Sequence, residues 1–202
     1  MNDIMKQSIL ISNRKYKAMK AVHIWVWPAV LSIWAVLVSA SNIYEDFHSF
    51  NQIELTGPVE ILLVHGEEAA ISQQRCSEKV SIVIEDKVLK IQTSEKAKPS
   101  IIKVTYENLS KLTATKGAIV TAREAIRTEE LAIKLDDKAS ATLNFKAGIV
   151  NASAQGNSRM TAVGKINHFM ADFHNSELEH RQLNAKKSKI NVNNSTAYNK
   201  RK

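Results

Sequence analysis

The chain has 202 residues, of which 44% are hydrophobic and 24% charged, and some 160 of them beyond the N-terminal segment suit one domain with a core of ordinary size. Its formal net charge of +8 invites a nucleic-acid reading, but the charge sits at the ends: residues 1–40 hold five basic and one acidic side chain, residues 183–202 hold six basic and none acidic, and residues 41–182 are left at −2. Only Tyr198 interleaves with the basic tail, which argues against a nucleic acid as partner, because single-strand recognition sets aromatic platforms among the cations. The single cysteine, Cys76, excludes an intramolecular disulfide and a cysteine-based metal site.

Residues 21–40 run without a Lys, Arg, Asp or Glu, and Arg14, Lys15, Lys17 and Lys20 precede them. This is the pattern of an export signal or a membrane anchor. Val38-Ser39-Ala40 offers small or β-branched residues at the −3 and −1 positions of a cleavage site, and translation from Met19 would give a compact signal peptide. The same run is long enough to span a bilayer at about 1.5 Å per residue, and Trp25, Trp27 and Trp34 suit an interface, so an uncleaved anchor remains the alternative. In both cases the basic N-terminal flank predicts that the rest of the chain lies outside the cytoplasm: periplasm, outer surface or membrane-anchored. No cysteine stands directly after the run, so a lipoprotein anchor is not expected.

Residues 41–49 read as a linker. Residues 52–64 and 80–93 alternate apolar with polar side chains, and Glu85-Asp86-Lys87 between residues 80–84 and 88–91 predicts a hairpin. Residues 95–100, with two lysines and Pro99, read as a loop, and residues 101–106 open a different regime. From there a strand followed by a small polar turn recurs: Gly117-Ala118, Lys138-Ala139, Asn157-Ser158, Asn175-Ser176 and Asn194-Ser195, separated by 21, 19, 18 and 19 residues. Before the turns stand Leu112-Thr113-Ala114, Leu131-Ala132-Ile133, Val150-Asn151-Ala152, Phe169-Met170-Ala171 and Ile190-Asn191-Val192, each with period two. One such unit cannot bury its apolar edge alone, whereas stacked units share a continuous core. The expected fold is all-β: a right-handed β-solenoid, or β-helix-like stack, of about five short coils, capped by an N-terminal antiparallel β segment. Residues 121–131 contain good helix formers, yet the repeat accounts for them as a connection between strands. The organisation read from the chain is 1–40 signal peptide or anchor, 41–49 linker, 50–198 β domain and 199–202 basic tail.

Phe50-Asn51-Gln52-Ile53, Gly57-Pro58-Val59-Glu60-Ile61 and His65-Gly66-Glu67, followed by the hairpin and by residues 102–112, resemble the opening of the GIN-type auto-transporter adhesin head domain of bacterial envelope proteins. The resemblance covers residues 50–198 and consists of strands and turns without a catalytic motif. It implies the β fold and an envelope location. Lys138-Ala139 departs from it, since a glycine or serine turn is more typical there.

The densest ionisable group is Asp172, His174, Glu177, Glu179 and His180, which reads as a solvated outer face because the turn at Asn175-Ser176 interrupts it. Asp136-Asp137 reads as a turn, since one pair cannot supply the six to eight oxygens that calcium takes. Ser140, Ser153, Ser158 and Ser176 stand in no nucleophile elbow and beside no recognisable base, and read as turn and ladder residues. Asn157, Asn175 and Asn194 recur at matching positions and could stack. No phosphate loop, zinc spacing or dinucleotide fingerprint occurs, so no cofactor, metal or catalytic residue is expected. The expected function is a non-enzymatic exported module that binds a glycan or envelope protein, with Lys134, Asn151, Ser153, Arg159, Asp172 and Glu177 as ligand-facing residues. The alternatives are a membrane-tethered sensor or assembly element and a glycan-processing enzyme. Homo-oligomers are compatible with exposed ends.

Overall fold

The computed structural model describes residues 49–75, 80–94 and 99–198. The signal or anchor segment, most of the linker, Cys76, much of the 95–100 loop and the tail 199–202 lie outside the described residues.

The described chain is all-β, with one large, mostly parallel sheet. Its strands are β1 (Gln52–Thr56), β2 (Val59–His65), β3 (Ala70–Arg75), β4 (Val80–Glu85), β5 (Val88–Thr93), β6 (Ser100–Tyr106), β7 (Lys111–Thr115), β8 (Ile119–Leu135), β9 (Ser140–Ala154), β10 (Arg159–His174), β11 (Glu177–Asn193) and β12 (Thr196–Tyr198). The order along the sheet is β12-β11-β10-β9-β8-β7-β1-β5-β4, with β2 joined to β6 and β8, and β3 joined to β6. Residues 121–131 lie wholly within β8. Helix propensity there is worth at most about 0.7 kcal/mol per residue, and burial of Ala122, Ile126 and Leu131 against the core outweighs it.

The hairpin forms as the sequence predicts: β4 and β5 are antiparallel, with Glu85 opposite Val88. Asp86 and Lys87 both take positive φ, 52° and 62°, as a two-residue turn matching the right-handed twist of its strands requires. The rest of the N-terminal part corrects the expected antiparallel cap. β1 pairs in parallel with both β5 and β7, and β2 pairs in parallel with both β6 and β8. Among the described residues only β4 with β5 and β3 with β6 are antiparallel. The physical reason is the corner at Gly57, φ 93°, which lets β1 lie on β7 while β2 turns off to lie on β8. The first strands therefore continue the parallel stack instead of closing it.

The five polar turns fall between consecutive strands from β7 to β12, and Gly117, Lys138, Asn157, Asn175 and Asn194 all have positive φ. The first three turns carry a second such residue, Lys116, Asp137 or Gly156. Asparagine and aspartate tolerate this region because their side chains are short, and lysine at 138 bears the strain of about 1–2 kcal/mol instead. Backbone bonds tie turn to turn: Lys138 N–H to Gly156 O at 2.8 Å, Asn157 N–H to Asn175 O at 2.8 Å and Asn175 N–H to Asn193 O at 3.0 Å. Asn157 and Asn175 thus stack through their main chains.

β8, β9, β10 and β11 pair in parallel along nearly their whole lengths. Within β8, β9 and β10 the buried parity switches. In β9 Ala141, Leu143, Phe145 and Ala147 face inward, then Val150, Ala152 and Ala154; in β10 Met160, Ala162 and Ile166 are followed by Phe169, Ala171 and Phe173. Side chains alternate strictly along a straight strand, so each switch marks a bend, at Gly148-Ile149 in β9 and at Asn167-His168 in β10. All these residues belong to one continuous hydrophobic core.

Candidate functional site

Outward residues of neighbouring strands form columns about 4.8 Å apart. One column is Thr113, Lys134, Ser153, Asp172 and Asn191, and the next is Lys111, Ala132, Asn151, Met170 and Lys189. All of them but Thr113 line an open groove of about 400 Å³. The structure thus brings four of the six residues singled out in the sequence, Lys134, Asn151, Ser153 and Asp172, to one surface. Ser153 Oγ donates to Ile133 O at 3.3 Å and Asn151 Nδ2 donates to Glu130 Oε1 at 3.3 Å, which fixes both side chains. Lys134 and Asp172 stand two strands apart with Ser153 between them, and neither joins an ion pair among the described residues. The groove therefore offers a cation, an anion, a hydroxyl and an amide at fixed spacing, with Met170, 46% exposed, as its apolar floor.

Arg159 and Glu177 lie elsewhere. They begin β10 and β11, pair in register, and hold each other through Arg159 Nε and Glu177 Oε2 at 2.8 Å. They line a second groove of about 550 Å³ along the turns, beside Asn157, Asn175 and Asn194. Both ends of this ion pair are exposed, so it contributes at most about 1 kcal/mol.

The sequence reading missed Met170, Lys189 and Asn191, which complete the first groove. The signal that finds them is the repeat itself: Asn151, Met170 and Lys189 are 19 residues apart, as are Ser153, Asp172 and Asn191.

The ionisable group around the fourth turn is spread out. Glu177 is taken by Arg159, Glu179 Oε1 lies 3.5 Å from Arg181 Nε, and Asp172 and His174 point outward from β10. Among the described residues no three His, Cys, Asp or Glu side chains are grouped to hold a metal ion. Ser158 Oγ donates to Gln155 O at 2.6 Å and Ser176 Oγ to His174 O at 3.0 Å, so both hydroxyls brace the turns. Asp136 accepts from the Asp137 N–H and from Gln155 Nε2, both at 2.8 Å, which makes it a turn residue. Burial pushes the Tyr106 phenol up to about 12, with the charge of Glu124 adding to it, so Tyr106 stays protonated at neutral pH.

His180 sits where β11 carries an extra residue against β10, between the partners of Thr161 and Val163. Burial holds its imidazole below the usual value near 6.5. A depressed histidine pKa favours the neutral form in the folded chain, so the unfolded chain binds more protons as pH falls. Thermal stability is expected to decline as pH drops below about 6.5, and His180→Gln is expected to flatten that decline; melting curves between neutral and mildly acidic pH check it, and an unchanged slope in the variant would rule out His180 as its source.

The fold and these grooves define a class: an all-β protein that displays polar columns on a large, mostly parallel sheet. A family model described as "Putative auto-transporter adhesin, head GIN domain" matches residues 49–199. The chain belongs to that family, an adhesin-named family of uncharacterised function and not a known enzyme family. Its fold is similar to that of a crystal structure called a putative adhesin from Parabacteroides merdae ATCC 43184, at 16% identity and TM-score 0.63, covering 78% of this chain and 79% of that one. It is also similar to one from Parabacteroides distasonis ATCC 8503, at 14% identity and TM-score 0.64, covering 78% and 80%. No curated protein matches the chain in sequence.

Proposed function

We propose that the protein is an exported, non-enzymatic module of the bacterial envelope whose β domain is a right-handed solenoid and which binds an extended glycan or envelope protein along the groove of Lys134, Asn151, Ser153 and Asp172. The solenoid reading is supported by the register. Ile119 pairs with Ser140 and Leu135 with Ala154, yet only residues 136–139 join β8 to β9. A straight strand from 119 to 135 would end some 50 Å from its start at about 3.3 Å per residue, far beyond the reach of the residues that return to Ser140. Parallel neighbours ordinarily need a crossover of a dozen or more residues. A long strand that closes on itself as one coil removes the conflict, and the parity switches supply its corners.

The observation that carries the binding reading is the columns in the first groove, which set polar side chains at strand spacing across neighbouring strands, as an extended ligand would require. Export is supported by the basic-then-apolar N-terminal sequence and by the family. In a glycan array with the full-length chain, one class of glycan is expected to be retained, and Lys134→Ala with Asp172→Ala is expected to weaken it about tenfold, the size of two exposed polar contacts, with an unchanged melting temperature. Equal retention by the double variant would end this assignment. A membrane-tethered sensor or assembly element is the second reading, favoured by the length of the apolar run. An intact N-terminus in the inner-membrane fraction selects it, and a mature chain starting at Ser41 selects the released module.

A further inference from the structure

On a different face, Arg127, Lys146 and Lys165 occupy one column of three adjacent strands: Arg127 is opposite Lys146, and Lys146 opposite Lys165. All three are exposed, and none joins an ion pair among the described residues. Like charges directly opposite each other across strands repel, so this column opposes folding. Columns of the first groove mix their charges, as Lys134, Ser153, Asp172 and Asn191 do, which shows that the repeat does not force cations into register. A local choice that disfavours the fold is where a binding role is to be sought.

The column forms one wall of a groove of about 850 Å³, larger than the other two. Lys186 adds a fourth cation, and Asn108, Asn167 and Asn184 add amides. The one carboxylate among the described lining residues, Glu129, lies over Gly148, where an added Cβ would lie 3.2 Å from Glu129 Oε2. We propose that this groove binds an anionic polysaccharide, its carboxylates or sulfates lying along Arg127, Lys146 and Lys165 and its hydroxyls meeting the asparagine amides. The cations recur at about 4.8 Å, comparable to the repeat of an extended chain with one acid group per sugar ring. Lysine ammoniums act as point charges and accept such groups in varied orientations. Among the described residues the groove has no aromatic side chain on which bases could stack. Its apolar members, Ala147 and Ile166, are buried and cannot enter a lipid surface. This inference does not rest on the Lys134–Asp172 groove.

The test is titration of the full-length chain with polygalacturonate, with neutral dextran and duplex DNA as comparisons. Polygalacturonate is expected to bind, more weakly as ionic strength rises, and dextran is not. Arg127→Gln, Lys146→Gln and Lys165→Gln together are expected to lower affinity about tenfold or more, the combined effect of three exposed charge contacts, without lowering the melting temperature. Lys146→Arg with Lys165→Arg, and Lys200→Gln with Arg201→Gln and Lys202→Gln in the tail, are expected to retain binding. Failure of polygalacturonate to bind at low salt, equal affinity in the triple variant, an equal loss from the tail variant, or DNA bound as tightly as polygalacturonate would each overturn the proposal.

Discussion

Gly164→Val is expected to remove about 3–5 kcal/mol of stability, a large share of the 5–15 kcal/mol typical of a folded domain. Gly164 stands in β10 between the buried residues Ala162 and Ile166, at φ 103°. A Cβ placed there would lie 2.2 Å from the Phe145 carbonyl oxygen and 2.7 Å from the Phe145 nitrogen. Both are backbone atoms of the neighbouring strand β9, held by the parallel ladder, so neither can give way cheaply. Glycine in a strand often marks such a close approach of another backbone. Gly117 supplies the comparison, because it too has positive φ, 77°, but nothing lies within 4 Å of its added Cβ. Gly117→Ala is therefore expected to cost only the conformational strain, about 1–2 kcal/mol. Urea denaturation of both variants separates strain from contact; equal losses would mean that the approach of β9 to Gly164 is not what selects glycine.

The features legible in the sequence are those that repeat locally. Each turn announced itself because a residue tolerant of positive φ or a small polar pair interrupts a period-two pattern, and even Lys138, an unusual turn residue, was found from its distance to its neighbours. The hairpin at Asp86-Lys87 was legible for the same reason. The placement of β1 on β7 was not, because Gln52 and Lys111 are 59 residues apart and no local signal relates them. Pairing between distant segments is decided by which surfaces remain uncovered once the chain has collapsed. The grooves were half legible. Lys134, Ser153 and Asp172 share a period of 19 with Asn191, and Arg127, Lys146 and Lys165 share it with Asn184, so both columns are written in the sequence. They emerge only when the turn spacing is applied to the outward residues, and Arg159 and Glu177, one residue beyond the turns, then separate from the rest. Bends within the strands were the least visible, since a parity switch such as Ala147 to Val150 looks like ordinary irregularity until burial is known.

Phe173→Ala is expected to cost about 3–5 kcal/mol and to reveal how the stack divides. Phe173 is fully buried in β10, where its register partners are Ala154 in β9 and Val192 in β11. Ala154 is too small to fill the space left by the ring, and Val192 is already 46% exposed at the open side of the stack. Beyond it, among the described residues, β12 covers β11 only through Glu177 to Glu179. On the proposed solenoid reading each unit contacts only its neighbours, so stability is a sum of unit and interface contributions and damage stays near its source. Amide hydrogen exchange in Phe173→Ala is therefore expected to speed up in β11 and β12 first and in β10 next, while β7 and β8 keep their protection. Uniform loss of protection from β1 to β12 would instead mean that the sheet opens only as a whole, and would count against reading the domain as a series of coils stabilised pair by pair.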